Sequence, residues 1–256
     1  MKYNEISHFS HPRHNLKIEY TEVPFNCDGC KEIGIGTCYK CNLCDYDLHM
    51  HCAIPSPTIY HPFYPKCAFV FMSRPPGNVP RYCNACERAV SGFLYHCNSC
   101  GFDLHPCCAK LPTMLDDGEI KLYLYRKVSA PCERCGRKGR SWSYRTSDKK
   151  YNLHVACVKD ILMESWQDIL YYGHGPSRTI TRGGTRPIEQ VPGLKGALLQ
   201  THSHRYNTSS SSKSKGSSKV LKCCEMAGMT LQFVISAVLG DPTTLIAGVI
   251  GSFLSR

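Results

Sequence analysis

No apolar stretch resembling a secretory signal appears in the opening residues MKYNEISHFSHPRH, so the chain is expected to be intracellular, cytoplasmic or nuclear, where thiols stay reduced. Disulfides are then excluded as the staple for its cysteines. Ser-His-Asp order, a phosphate loop and a paired-carboxylate pattern are also lacking, and an enzyme is not expected. Neither half of the apolar C-terminal segment reaches the roughly 18 to 20 apolar residues that cross a bilayer as a helix.

What the sequence has in quantity is metal-ligand chemistry. Its 256 residues include 18 Cys and 12 His at 42% hydrophobic content. This balance favours several small modules over one large core, and small modules need a disulfide or metal staple. The net charge of +11 is unevenly spread: about +4 before Gly173, +8 from Gly173 to Lys222, and −1 thereafter. Most of the basic excess therefore lies outside the Cys-rich part.

The stretches YKCNLCDYDLHMHCA and YHCNSCGFDLHPCCA repeat at an offset of 56 residues. Cys27, Cys30, Cys41, Cys44, His49 and Cys52 map onto Cys83, Cys86, Cys97, Cys100, His105 and Cys108, each set reading C-x2-C-x10-C-x2-C-x4-H-x2-C. A third copy keeps Cys132, Cys135, His154 and Cys157 and lacks the second C-x2-C pair. Each C-x2-C supplies two thiolates from one tight turn, and zinc takes four N or S ligands. Cys38, His8, His51, His174, His202 and His204 fall at no repeated position, whereas Tyr39, Tyr46, Tyr95, Phe102 and the Asp-Leu pairs at 47–48 and 103–104 read as small-core residues and ligand supports.

This order resembles the C1 zinc-finger family and, more closely, the plant divergent C1 (DC1) proteins, over about Ser10 to Leu162. The resemblance implies small zinc-stabilised β-rich modules in tandem, with interleaved zinc sites and little helix. One zinc would sit on Cys27, Cys30, His49 and Cys52, with equivalents on Cys83, Cys86, His105 and Cys108 and on Cys132, Cys135, His154 and Cys157. The other zinc of module one would use Cys41, Cys44 and an upstream His. His11 and His14 compete for that place, and His14 is preferred because it heads an alternating strand as Cys67 does. His61 is expected to close that site. In module two Cys67, Cys97 and Cys100 are expected together, with Cys107, His96, Asp116 and Asp117 open as a fourth ligand. About four to five structural zinc ions follow.

The expected boundaries are modules at 10–62, 63–118 and 119–172, the last degenerate and ending in a helix, then a disordered Ser/Gly-rich basic linker at 173–222 and an apolar helical tail at 223–256. Closed four-ligand zinc is structural and activates no substrate. The resemblance points to an adaptor that binds other proteins in plant signalling or stress response. Diacylglycerol or another lipid is a second reading, weakened by a short x10 loop. Nucleic acid is a third, weakened by the modest charge of the modules. A RING-type ubiquitin ligase is disfavoured by the order of its ligands. Cys223 and Cys224, beside basic residues and an apolar segment, are candidate S-palmitoylation sites, which would place the tail at a membrane surface; packing of Leu231 to Leu239 and Leu245 to Leu254 on the modules or a partner is the equal alternative.

Overall fold

Among the described residues the same four-stranded antiparallel meander is built three times. The computed structural model describes residues 4–116, 120–173, 234–235 and 237–240. The chain divides into two units, one built on residues up to Thr113 together with Arg140–Trp142 and the described residues 237–240, the other on Met114–Gly139 and the described residues of Ser143–Ile235.

In the first unit, β1 (Glu5–His8), β2 (His11–Asn26), β3 (Ile33–Lys40) and β4 (Asp47–His49) pair in sequence order and lead into the single-turn helix α1 (Met50–Ala53). Strand alternation turns Leu16, Tyr39 and Leu48 inward, where all three are buried. A second sheet repeats the pattern with β5 (Thr58–His61), β6 (Tyr64–Met72), β7 (Leu94–His96), β8 (Asp103–Leu104) and the helix α2 (Pro106–Ala109). Phe69, Leu94, Tyr95 and Leu104 are buried there. These cores are small, so the sheets depend on whatever cross-links their loops.

The two sheets of this unit meet through backbone. Phe93 N–H donates to the Gly29 carbonyl at 2.8 Å, and a Cβ placed on Gly92 would lie 2.0 Å from that same oxygen. Only glycine allows so close an approach. Gly92→Ala is therefore expected to destabilise the unit by about 2 kcal/mol or more, the cost of overpacking against backbone that has little room to yield. Thermal melts of the two proteins compare it directly, and an unchanged midpoint would contradict the contact.

Arg140–Trp142 also belong to this unit, although the sequence places them in the third module. Trp142 N–H donates to the Ala85 carbonyl at 2.9 Å, and its Nε1 donates to the Tyr64 hydroxyl at 3.2 Å. Its ring lies 4.4 Å from His61 and 4.9 Å from Phe63.

The second unit carries β9 (Met114–Asp116), β10 (Lys121–Tyr125), β11 (Ser143–Arg145) and β12 (Asn152–His154), followed by α3 (Val155–Gly173). Buried Val158, Ile161, Leu162 and Trp166 recur at helical spacing along α3. Leu122, Leu124, Tyr144 and Leu153 form the apolar face of the sheet. A bidentate Arg134–Glu164 pair, at 3.0 and 2.6 Å, ties the knuckle loop to the helix.

The linker at 174–222, and with it His174, His202 and His204, lies outside the described residues, as do Cys223, Cys224 and all of the tail except 234–235 and 237–240. Among the described residues no helix is long and apolar enough to cross a membrane.

Candidate metal centres

Each module opens its ligand set with the same knuckle. Lys31, Glu87 and Gly136 each follow the second cysteine of a C-x2-C pair, and all three adopt the left-handed conformation, at φ 63°, 59° and 69°. That backbone lets the N–H of Lys31, Glu87 and Gly136 reach the carbonyl of Cys27, Cys83 and Cys132 at 2.8, 2.7 and 2.7 Å. The turn points both thiols of a pair the same way. The backbone N–H groups of His49 and His105 also approach the Sγ atoms of Cys27 and Cys83, both at 3.4 Å.

The other half of each set comes from the junction of a strand and a helix. His49 and His154 end β4 and β12, His105 directly follows β8, and the next helical turn carries Cys52, Cys108 and Cys157 onto the same side. The H-x2-C spacing is thus one turn of helix entered from a strand. Aspartates beside these histidines are held firmly: Asp47 pairs with Lys40 at 3.0 Å, and Asp103 joins Arg81 at 3.0 Å and His96 at 2.7 Å.

Among the described residues, ligand atoms converge in five places: Cys27, Cys30, His49 and Cys52; Cys83, Cys86, His105 and Cys108; Cys132, Cys135, His154 and Cys157; His11, His14, Cys41 and Cys44; and the trio Cys67, Cys97 and Cys100. Within each group the ligand atoms lie within 4.8 Å of one another. Histidine Nδ1 to Sγ distances of 3.4 Å to Cys30, 3.5 Å to Cys86, 3.3 Å to Cys135 and 3.2 Å to Cys44 match a tetrahedron edge of roughly 3.5 Å, as Zn–S of about 2.3 Å and Zn–N of about 2.0 Å require. Every described cysteine is free of disulfides. The buried Nε2 of His11 has no hydrogen-bond partner.

The electrostatics of the thiols point the same way. A hydrogen bond from Cys157 draws the Cys132 thiol down to about 4 against the cost of its burial, while the same bond, with burial, pushes Cys157 up. Burial raises Cys27, yet hydrogen bonds from Cys30 and Cys52 and the charge of His49 outweigh it and hold Cys27 well below the ordinary thiol range. Without a cation such clusters hold one thiolate among protonated neighbours; a dication stabilises several thiolates at once and displaces the protons. The donor sets fit zinc, which would serve as structural cross-links.

The ligand order along the chain is interleaved: His11 and His14, then Cys27 and Cys30, then Cys41 and Cys44, then His49 and Cys52, with alternate pairs sharing a cluster. Two placements differ from the sequence expectation. Both His11 and His14 enter the cluster with Cys41 and Cys44, and His61 does not. The hairpin register explains this. His8 pairs with His11 across the first turn, and His61 pairs with Tyr64 across the second, so His61 is the counterpart of His8, Tyr64 of His11, and Cys67 of His14. His8 and His61 accept the N–H of Ser10 and Phe63 at 3.3 and 3.1 Å, and these bonds shape the turn.

Among the fourth-ligand candidates of module two, His96 is committed to Asp103, Asp116 pairs with Lys121 at 3.0 Å, and Cys107 is buried in α2 outside the trio. Asp117 lies outside the described residues. The positions His11 and Tyr64 were legible in the sequence: HPRH and YPKC align once the hairpins are set at an offset of 53 residues.

His61 yields a pH prediction. Burial pushes its imidazole from 6.5 down to about 4, so between those values the unfolded chain binds the additional proton and the first unit loses stability as pH falls. The loss attributable to His61 at pH 5 is about 2 kcal/mol. Melts followed by Trp142 emission in a Trp166→Phe background, at pH 7 and pH 5, are expected to show a larger drop with His61 present than in His61→Phe. Equal drops would contradict it.

The family model described as C1 domain matches residues 9–53 and 61–109. A stretch of 54 residues is 37% identical to probable nucleoredoxin 1 of Arabidopsis thaliana; it is 21% of this chain and spans only 9% of that protein. No solved structure matches the chain. With the repeated meanders, the knuckles and the interleaved Cys/His clusters, residues 9–53 and 61–109 belong to the C1 domain family in its divergent, Cys/His-rich form.

Proposed function

We propose that these zinc-binding modules make the chain a non-enzymatic adaptor that presents a rigid surface to partner proteins, in an intracellular signalling or stress-response setting. One observation carries this reading: most of the metal ligands are buried, while large apolar side chains stand in solvent on the scaffold they fix. Leu43 is 77% exposed, Tyr60 71%, and Phe9, Tyr20 and Val23 more than half. Exposed aromatic and aliphatic groups on a preorganised scaffold suit protein contacts, because little ordering cost is left for binding.

Two concavities of the first unit favour a protein over an acyl chain. One is lined by Glu5, Arg13, His14, Asn15, Lys17, Asn42 and Leu43, the other by residues including Asp28, Lys40, Asp45 and Asp47. Four of the five clusters supply four ligands and leave zinc no position for a substrate, which supports the non-enzymatic reading. The likeness to the Arabidopsis protein covers too little of that protein to carry its role here.

Affinity capture from plant extract tests the proposal, using full-length protein, the same protein after chelation, and a Tyr20→Asp, Leu43→Asp variant. Specific proteins are expected on the first bait and not on the other two. Retention of nucleic acid with a steep salt dependence, or of anionic vesicles by the full chain and the variant alike, would overturn it.

A further inference from the structure

The trio Cys67, Cys97 and Cys100 differs from the other four clusters in one respect. Its fourth position is taken by Tyr64, the register counterpart of His11. Tyr64 is buried and its hydroxyl accepts the Trp142 indole N–H at 3.2 Å, so it is built into the aromatic core. Among the described residues a metal here has three thiolates and no fourth donor.

Two further observations bear on what such a site does. The Sγ atoms of Cys67 and Cys100 are 3.2 Å apart although the residues are 33 positions apart in sequence. Cys100 is exposed and Cys67 partly so, whereas the clusters built on Cys27, Cys83 and Cys132 are largely buried. Accessible sulfur already in contact with a second sulfur has the geometry for oxidation, since reactivity of a thiol follows exposure and thiolate character.

We infer that Cys67 and Cys100 are a thiol-oxidation site, at which a hydroperoxide converts the three-thiolate centre into a disulfide and displaces its metal. The Cys100 thiolate attacks the terminal peroxide oxygen; an S–O bond forms as the O–O bond breaks, and hydroxide leaves, taking a proton to become water when the oxidant is hydrogen peroxide. The Cys67 sulfur then displaces the hydroxyl group from the Cys100 sulfenic acid, giving the S–S bond and a second water. Two electrons pass from sulfur to peroxide. Cys97 alone cannot retain the zinc. The Cys41 cluster, with two histidines and two thiolates, keeps all four donors and is the internal control.

Zinc-loaded full-length protein is titrated with hydrogen peroxide, with released zinc followed by a metallochromic dye and disulfides mapped by mass spectrometry of peptides from unreduced protein. One zinc per chain is expected to leave at least about tenfold faster than the rest, with the Cys67–Cys100 disulfide appearing at the same rate. Cys67→Ser should abolish the fast phase and the disulfide while the remaining clusters keep their zinc. Tyr64→His, which restores the donor that His11 supplies, should slow the fast phase; Cys67→Ser keeps the test valid if that variant packs poorly. A first disulfide between any other cysteines, or zinc leaving all clusters at one rate, overturns the inference.

Discussion

Chelation of the full chain is expected to remove the fold of both units together with the metal. Each sheet has only a few fully buried apolar residues, such as Leu16, Tyr39 and Leu48 in the first, and strands β4, β8 and β12 are two or three residues long. Strands that short do not pair stably without a cross-link. Structural zinc contributes about 10 to 16 kcal/mol of apparent binding free energy at neutral pH, as much as the roughly 5 to 15 kcal/mol by which whole domains are usually stable. Circular dichroism should lose its sheet signal, and emission from Trp142 and Trp166, both buried, should shift to the red. Metal analysis of the intact protein is expected to give four to five zinc per chain. Fewer than about two, or a chelated chain that stays folded, would contradict the interleaved arrangement.

Cys132→Ser should do more local damage than Cys41→Ser. The third sheet has one ligand cluster, whereas module one keeps Cys27, Cys30, His49 and Cys52 when Cys41 is lost. Losing a ligand from the only metal site removes several kcal/mol with nothing to replace it. Limited proteolysis should cut within Met114–Gly139 and along α3 in Cys132→Ser, and Trp166 emission in a Trp142→Phe background should report the exposure. Cleavage in Cys41→Ser should stay near the first hairpin. Equal sensitivity of the two variants would show that α3 and its apolar contacts hold the third sheet without metal.

How much of this could be read beforehand follows from where the information sits in the chain. The clusters built on Cys27, Cys83 and Cys132 were legible because their ligands come from rigid local motifs, a knuckle and a strand-to-helix turn, whose spacing is fixed by backbone geometry. The third copy's loss of one whole cluster was legible for the same reason. The second cluster was harder, because His11 and His14 stand on β2 while Cys41 and Cys44 follow β3, and the length difference between hairpins hides which residue answers to which. His61 looked like a ligand by spacing, yet its partners are Phe63, Tyr64 and Trp142. That contact depends on a residue 81 positions away, which no local pattern records. The left-handed turns at Lys31 and Glu87 carried no signal either, since neither is the glycine that such a conformation favours.

The interleaving also makes ligand choice a problem of fidelity. A newly made chain offers five C-x2-C ligand pairs and three near-identical His/Cys pairs, and zinc on Cys30 can be completed by His49 or, wrongly, by His105 of the next copy. The wrong loop is roughly four times longer than the right one, and the entropy of closing it differs by only about 1 kcal/mol. Chain length alone is thus a poor proofreader. Discrimination falls to the sheets, where Cys38 lies opposite His49 in the ladder, and to vectorial synthesis, which completes the His11 and Cys27 clusters by Cys52 before the competing His105 exists. Refolding from the denatured, metal-loaded state lacks that order of events and should pass through misligated species that fresh synthesis avoids.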